Sequence, residues 1–216
     1  MRVECAGEGW ELCADRAVHW PARRTLLIAD THFGKDGIFR AAGIAIPTGI
    51  NAHDLARLSA LVARLHIDRL IVLGDFFHGA PLTSGDFLAQ FDAWLDAHPA
   101  LRIEVIAGNH DRHGGAGRWA TRIRWHTQPL LEPPFAFTHA AVGKCDAFQV
   151  CGHVHSVMAL RSTSGDRARV PVFWFSDNQV ILPAFGVFTG GFSIRPQRAD
   201  RVFVIADQEV LAINPV

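Results

Sequence analysis

The chain has 216 residues, 49% of them hydrophobic, with 21 basic and 21 acidic side chains and a formal net charge of zero. That length suits one domain over residues 1–216 with a sizeable core, and the composition excludes a disordered or low-complexity chain. Balanced charge excludes a uniformly basic nucleic-acid surface, so any phosphate-binding face must be local.

No basic, apolar leader opens the sequence and no apolar run reaches about eighteen residues, so a cytoplasmic protein with no membrane association is expected. The four cysteines lack CxxC spacing and read as reduced thiols. Residues 1–29 alternate in short runs and predict antiparallel strands leading into a strand at 25–28. The Gly-punctuated segment 33–49 is placed like a lid or a substrate-facing loop. Asn51 caps a helix through Leu65 whose Leu55, Leu58, Leu61, Val62 and Leu65 make a core stripe. The run 70–73 is a buried strand that stops at Gly74 and presents Asp75. A helix over 84–98 buries Phe87, Leu88, Phe91, Trp94 and Leu95 and is closed by Pro99. A strand then reaches Gly108-Asn109-His110-Asp111.

Alternating strands and helices over 25–108 predict right-handed βαβ units and a largely parallel sheet. Helix signals vanish after 134, where short strands predict a second, mostly antiparallel sheet. The fold class is therefore α/β: two face-to-face sheets with helices on the outer faces, in αββα layers.

Four strands end in polar clusters, which gathers the chemistry at one rim. Asp30 and His32 are two apart and in extended backbone project from one side, as do His153 and His155. Asp75 stands between them as the residue expected to bridge two metal ions. Asn109 adds an amide oxygen and His139 follows its own short strand. This mixed oxygen and nitrogen set suits Mn, Fe, Zn or Ni and not an all-oxygen calcium cage.

Asp-x-His, Gly-Asp, Gly-Asn-His-Asp, a lone His and Gly-His-x-His, in that order over about residues 25–160, resemble the calcineurin-like metallophosphoesterases. The resemblance implies that Asp30, His32, Asp75 and His155 hold one divalent ion and that Asp75, Asn109, His139 and His153 hold the other, with Mn the first choice. The segments 29–35, 39–44, 73–78 and 182–191 further resemble the bacterial ligase-associated DNA-damage-response endonucleases, the PdeM group. That similarity covers nearly the whole chain and implies DNA, possibly single-stranded, as substrate. It also implies a repair role beside an ATP-dependent DNA ligase, a helicase and an exonuclease.

Two ions sharing a water would need no protein nucleophile. His110 is then the candidate to bind the phosphate or protonate the leaving oxygen, with Asp111 behind it. His78, where the superfamily usually has another polar residue, either faces the phosphate or hydrogen-bonds a ligand histidine. The segment 112–125, with Arg112, Arg118, Trp119 and Arg122, is either a strand-binding surface or a loop whose tryptophans anchor the core. Phe39 and Arg40 pose the same choice. Two other functions remain open: a small-nucleotide phosphodiesterase or phosphatase of the same superfamily, and a non-catalytic scaffold.

Overall fold

Alternation inside buried strands sorts the apolar side chains into layers. In a computed structural model of the chain, which describes residues 1–79, 85–111, 117–161, 165 and 167–214, seven strands form the first sheet. They are β1 (Arg2–Cys5), β2 (Glu8–Cys13), β3 (Ala17–Trp20), β4 (Thr25–Ile28), β5 (Arg69–Leu73), β6 (Arg102–Ile106) and β7 (Ile123–His126), lying side by side in chain order. From β1 to β4 the pairing is antiparallel, and from β4 to β7 it is parallel.

Three helices are described: α1 (Lys35–Ala41), α2 (Ile50–Arg64) and α3 (Gly85–Ala97). Leu26 and Ile28, Leu70 and Val72, and Ile103 and Val105 pack with Leu55, Leu58 and Leu61 of α2 and Phe87, Phe91 and Leu95 of α3. The residues between them, Leu27, Ile71 and Leu73, face Phe137, Val150, Phe173, Val180 and Leu182 of the second sheet.

That sheet contains β8 (Leu130–Glu132), β9 (Phe135–Phe137), β10 (Phe148–Cys151), β11 (Ser156–Arg161), β12 (Arg167–Phe175), β13 (Gln179–Ile181), β14 (Phe192–Ser193), β15 (Arg201–Ala206) and β16 (Glu209–Ile213). Its order is β14-β11-β12-β13-β10-β9-β8, with β15 and β16 attached through β12. The two-sheet sandwich is as expected. The described helices flank the first sheet; the opposite face of the second carries a small cluster around Val172, Ile194, Val202 and Val204.

Pairing direction places the functional rim. Parallel β4, β5 and β6 end together and deliver Asp30, Asp75 and Asn109 to one edge. The second sheet is mostly antiparallel, as expected, but β9 and β10 are parallel, so His139 and His153 emerge together.

Two expectations about the connections change. The segment 33–49, expected as a lid or a substrate-facing loop, holds α1 over 35–41. Asn51 is not the cap of α2, because Gly49 turns the chain into the helix at φ 85°. Asn51 instead accepts from the Gly34 amide at 3.1 Å and donates to Asp36 at 2.5 Å, fastening the segment behind His32. All four cysteines are free, and burial pushes the thiols of Cys5 and Cys151 up to about 12 and that of Cys13 to about 11. No helix among the described residues is long and apolar enough to cross a membrane.

At the start of β5, Arg69 joins the two sheets. It contacts Glu104 of β6 at 2.7 Å and Glu132 of β8 at 2.5 Å, and Glu104 also meets His126 at 2.7 Å. Burial acts to raise the Glu104 pKa, but the His126 and Arg69 bonds outweigh it and hold the carboxyl below its ordinary 4.5. A folded value below the unfolded one stabilises the protein above pH 4.5, and that contribution is lost as the pH falls through the folded value. Glu104→Gln is therefore expected to cost about 1–3 kcal/mol at pH 7. In urea titrations the gap from the natural protein should close as the pH is taken below the carboxylate range.

Candidate metal centre

Five of the rim residues leave their strands through a backbone conformation that side chains seldom adopt. Asp30, His32, Asp75, His153 and His155 have φ of 51°, 49°, 47°, 67° and 51°. These are left-handed values, uncommon outside glycine and costing about 1–3 kcal/mol each. The spacing of two in Asp30/His32 and His153/His155 therefore works through alternating left-handed residues, not through the extended backbone expected from the sequence.

Hydrogen bonds continue past the strand ends and enforce this geometry. The amides of Asp30, His32 and Phe33 donate to the carbonyls of Gly74, Asp75 and Phe76 at 3.1, 2.9 and 2.9 Å. Thr31, between the two rim residues, turns away and donates its hydroxyl to Phe76 O at 2.7 Å.

Beside a histidine trio of His32, His78 and His110, two groups of ligand atoms combine carboxylate with imidazole, each within 4.8 Å: Asp30, His32, Asp75 and His155, and Asp75, His139 and His153. Asp75 belongs to both. Asn109 Oδ1 lies 3.0 Å from His139 Nε2, adding a neutral oxygen to the second group. Each carboxylate divides its oxygens. Asp30 Oδ2 accepts from the His153 amide at 2.8 Å, whereas Oδ1 is buried without a hydrogen-bond partner and lies 3.5 Å from His155 Nε2. Asp75 Oδ1 accepts from the His110 amide at 2.9 Å, and Oδ2 lies 3.7 Å from His32 Nε2 and 3.6 Å from His139 Nε2.

Ring nitrogens approach as closely: His32 and His155 at 3.1 Å, His139 and His153 at 2.9 Å. An orphaned carboxylate oxygen amid converging imidazole nitrogens fits divalent cations bound by oxygen and nitrogen.

The outer contacts prepare the imidazoles. His139 donates from Nδ1 to Leu73 O at 3.1 Å, leaving Nε2 as the lone pair facing inward. His32 Nδ1 is 3.0 Å from His78 Nδ1, so of the two roles open to His78 the geometry brings out the bond to a rim histidine. Burial, reinforced by His155 and His78, drives the His32 pKa down to about 2, which keeps it a neutral acceptor. Burial with His110 nearby lowers His78 to about 4. For His155 burial acts downward, but Asp30 outweighs it and raises the value, helped by the Gly190 carbonyl. Desolvation raises Asp30.

His110 stacks on His78 with centroids 4.6 Å apart and meets His32 edge-on at 5.1 Å, so it borders the first group. Asp111 is not behind it. Its buried carboxylate accepts from the amides of Phe77, Gly108 and Phe76 at 2.9, 2.9 and 3.2 Å. That bonding clamps the turn after β5 to the turn after β6. Phe76 and Phe77 anchor the same turn in an aromatic cluster with Phe33, Phe91 and Trp125.

Of the two readings of segment 112–125, the geometry of its described part matches the core-anchoring loop. Trp119 is 3% exposed, donates to Asp92 at 2.7 Å and meets Phe91 edge-on at 4.9 Å. It is a core anchor. Arg118 pairs with Asp92 at 2.5 Å, and Arg122 donates to Leu95 O at 2.5 Å and lies 3.4 Å from Asp96, so both are committed to α3. Arg112 lies outside the described residues. Arg40 is closed by Asp36 at 2.9 Å, whereas Phe39 lies 6.2 Å from His78 and 5.7 Å from Phe188.

Sequence reasoning assigned no role to Lys35. Its ammonium lies 5.7 Å from the Phe39 ring centroid and 5.4 Å from that of Phe188, and among the described residues it has no ion pair. The available signal was that Lys35 is one of two lysines in an Arg-rich chain.

The motif glycines are held by contact. A Cβ on Gly74 would lie 2.1 Å from His139 Nδ1, one on Gly108 2.3 Å from both the amide nitrogen and Oδ1 of Asp75, and one on Gly152 2.6 Å from Asp30 Oδ2. Gly108→Ala is expected to lower Mn²⁺ affinity about 10–100-fold, the scale of a disturbed outer shell. Gly9→Ala, whose Cβ would meet nothing within 4 Å, should leave it unchanged. Calorimetric titration of both variants checks this.

The calcineurin-like phosphoesterase family matches residues 23–155. Among solved structures, the Pseudomonas putida nuclease MPE is 36% identical, with 99% of each chain covered and a TM-score of 0.86. The E. coli phosphoesterase Yfce is 14% identical over 89% of this chain and 99% of that one, with a TM-score of 0.43. Protein AQ665 of Aquifex aeolicus is 18% identical over 61% and 78%, at 0.41. At those scores neither carries an argument. No curated protein matches the chain.

Proposed function

The chain belongs to the calcineurin-like phosphoesterase family and is a metal-dependent hydrolase, and from that premise we propose that it is an endonuclease hydrolysing phosphodiester bonds in DNA. The observation that carries this reading is the 36% identity to a nuclease over 99% of both chains, with a rim whose two ligand groups share Asp75. We read residues 1–216 as one domain, because a single apolar layer joins both sheets.

Asp30, His32, Asp75 and His155 would hold one ion and Asp75, Asn109, His139 and His153 the other, with Mn²⁺ the first choice on the family resemblance and Fe, Zn or Ni equally suited to an oxygen and nitrogen set. When bound, such a pair supplies Lewis acidity, activating water and neutralising phosphoryl charge. The remaining steps belong to the chain. His110, beside the first group and free of the Asp111 carboxylate, binds the phosphate and gives a proton from its ring to the leaving oxygen. His78 orients His32 from behind and, stacked on His110, holds that ring at the rim. Asp111 is a positioning residue. Lys35 contributes positive charge beside the rim.

The similarity to the ligase-associated endonucleases supports a cytoplasmic repair role beside an ATP-dependent DNA ligase, a helicase and an exonuclease, with single-stranded DNA as the first substrate to test. Zero formal charge favours a second reading, hydrolysis of a small nucleotide, which predicts a shallow salt dependence where DNA predicts a steep one.

With Mn²⁺ and an end-blocked single-stranded oligonucleotide, the natural protein is expected to cut internally and Asp75→Asn to lose the activity. Hydrolysis of only a small phosphodiester would move the substrate to nucleotides, and silence on both would favour a scaffold.

An alkoxide leaving group needs a proton more than a phenolate does. His110→Ala should therefore slow DNA cleavage about a hundredfold or more while slowing an activated aryl phosphodiester far less. Equal losses in parallel steady-state assays would remove His110 from the acid role.

A further inference from the structure

Beside the rim, β11, β12 and the loop over residues 182–191 enclose a cavity of about 290 Å³. His155, Ser156, Arg16, Arg169, Thr189 and Gly190 are among the residues that line it. His155 is a rim residue and is itself hydrogen-bonded to Gly190, so the cavity opens directly from the first ligand group.

Its two arginines differ from those around them. Arg57 is closed by Asp54 at 2.7 Å and Arg64 by Asp15 at 2.8 Å. Among the described residues neither Arg16 nor Arg169 has a carboxylate within ion-pair distance. Arg16 reaches in from a left-handed turn at φ 64° and uses one nitrogen, Nη1, for two long bonds to the carbonyls of Ala184 and Gly186, at 3.5 and 3.4 Å. Arg169 uses Nη2 for the Gly191 carbonyl. A guanidinium carries five N–H donors, so both retain donors for a further acceptor, and the acceptor geometry they match is a phosphate. Cations without an ion-pair partner in a cavity next to a phosphoryl-transfer centre call for an anion that arrives with the substrate.

We propose that this cavity is the subsite for the phosphate adjoining the scissile one in a DNA strand, with Arg16 and Arg169 as the groups that hold it. The assignment rests on the nuclease reading above and adds to it the side of the centre along which the strand runs. Arg118, Trp119 and Arg122, turned into α3, do not supply that path.

The test uses p-nitrophenyl esters of thymidine 5′-phosphate with and without a 3′-phosphate, and of thymidine 3′-phosphate with and without a 5′-phosphate, with Mn²⁺. In one polarity the natural protein is expected to favour the doubly phosphorylated ester about tenfold in kcat/KM, the scale of one charge-assisted contact. Arg169→Gln should erase that preference and Arg169→Lys restore part of it. On a single-stranded oligonucleotide, Arg169→Gln should also reduce the slope of log KM against log salt by about 0.7, the share of one phosphate.

If Arg169 only fastens the loop, both esters slow together and the ratio stands, which overturns the proposal. So does a natural protein indifferent to the extra phosphate in both polarities. A natural protein that hydrolyses none of the esters and no DNA overturns the nuclease reading, and this assignment with it. Arg16→Gln repeats the test from the other side of the cavity.

Discussion

Two carboxylates, Asp30 at 0% and Asp75 at 2% exposure, stand where the ends of two sheets meet, and nearly every feature of the rim answers the cost of putting them there. A buried anion without counter-charge costs several kcal/mol. Each Asp offsets part of this through a backbone amide, from His153 or His110. The other oxygen of each is left among imidazole nitrogens. His32, held down to about 2 by burial and its histidine neighbours, has no positive charge to set against theirs near neutral pH. The balance is completed by divalent cations, which is the physical reason that a site of this composition belongs to a metal-dependent hydrolase.

Holding those donors in place requires a backbone that resists relaxation. Five rim residues sit in left-handed conformations, and a strained turn persists only where its surroundings over-determine it. Here the surroundings are the amide-to-carbonyl ladder running beyond β4 and β5, the three amides bound to Asp111, and the ring cluster behind Phe76 and Phe77. The large apolar residues nearest the site act on chemistry only by making it rigid.

Charge around the rim is decided by pairing and not by number. The formal balance is zero, yet Arg40, Arg57, Arg64 and Arg118 are each closed by a nearby aspartate, whereas Lys35, Arg16 and Arg169 keep their charge for something else. Local basic surface is thereby available beside the metal centre on a neutral chain, as phosphate recognition requires.

How much of this was legible follows from how local each signal is. An apolar run that stops at glycine and a polar residue is visible at 70–75, 103–111 and 148–155, because strand burial and the turn after it are properties of adjacent residues. The rim residues and the order of their motifs were therefore readable, as was the sandwich. For Trp119 core anchor and strand-binding surface both stayed open, since nothing in its own segment indicates that Asp92, 27 residues earlier, waits for its ring nitrogen. Asp111 pointed to His110 by adjacency, but its partners are amides from another strand end. Asn51 carried a cap signature, and Gly49 had already made the turn.

By itself, then, the sequence determined most of the strands, the helices α2 and α3 and the residue types gathered for metal chemistry, because periodicity and turn chemistry act over a few residues. Only the tertiary structure decided which oxygen of each carboxylate stays open, which arginines remain unpaired, and that β9 and β10 run parallel so that His139 meets His153. Those outcomes depend on contacts between segments tens to more than a hundred residues apart, where register and burial act and local pattern carries no information.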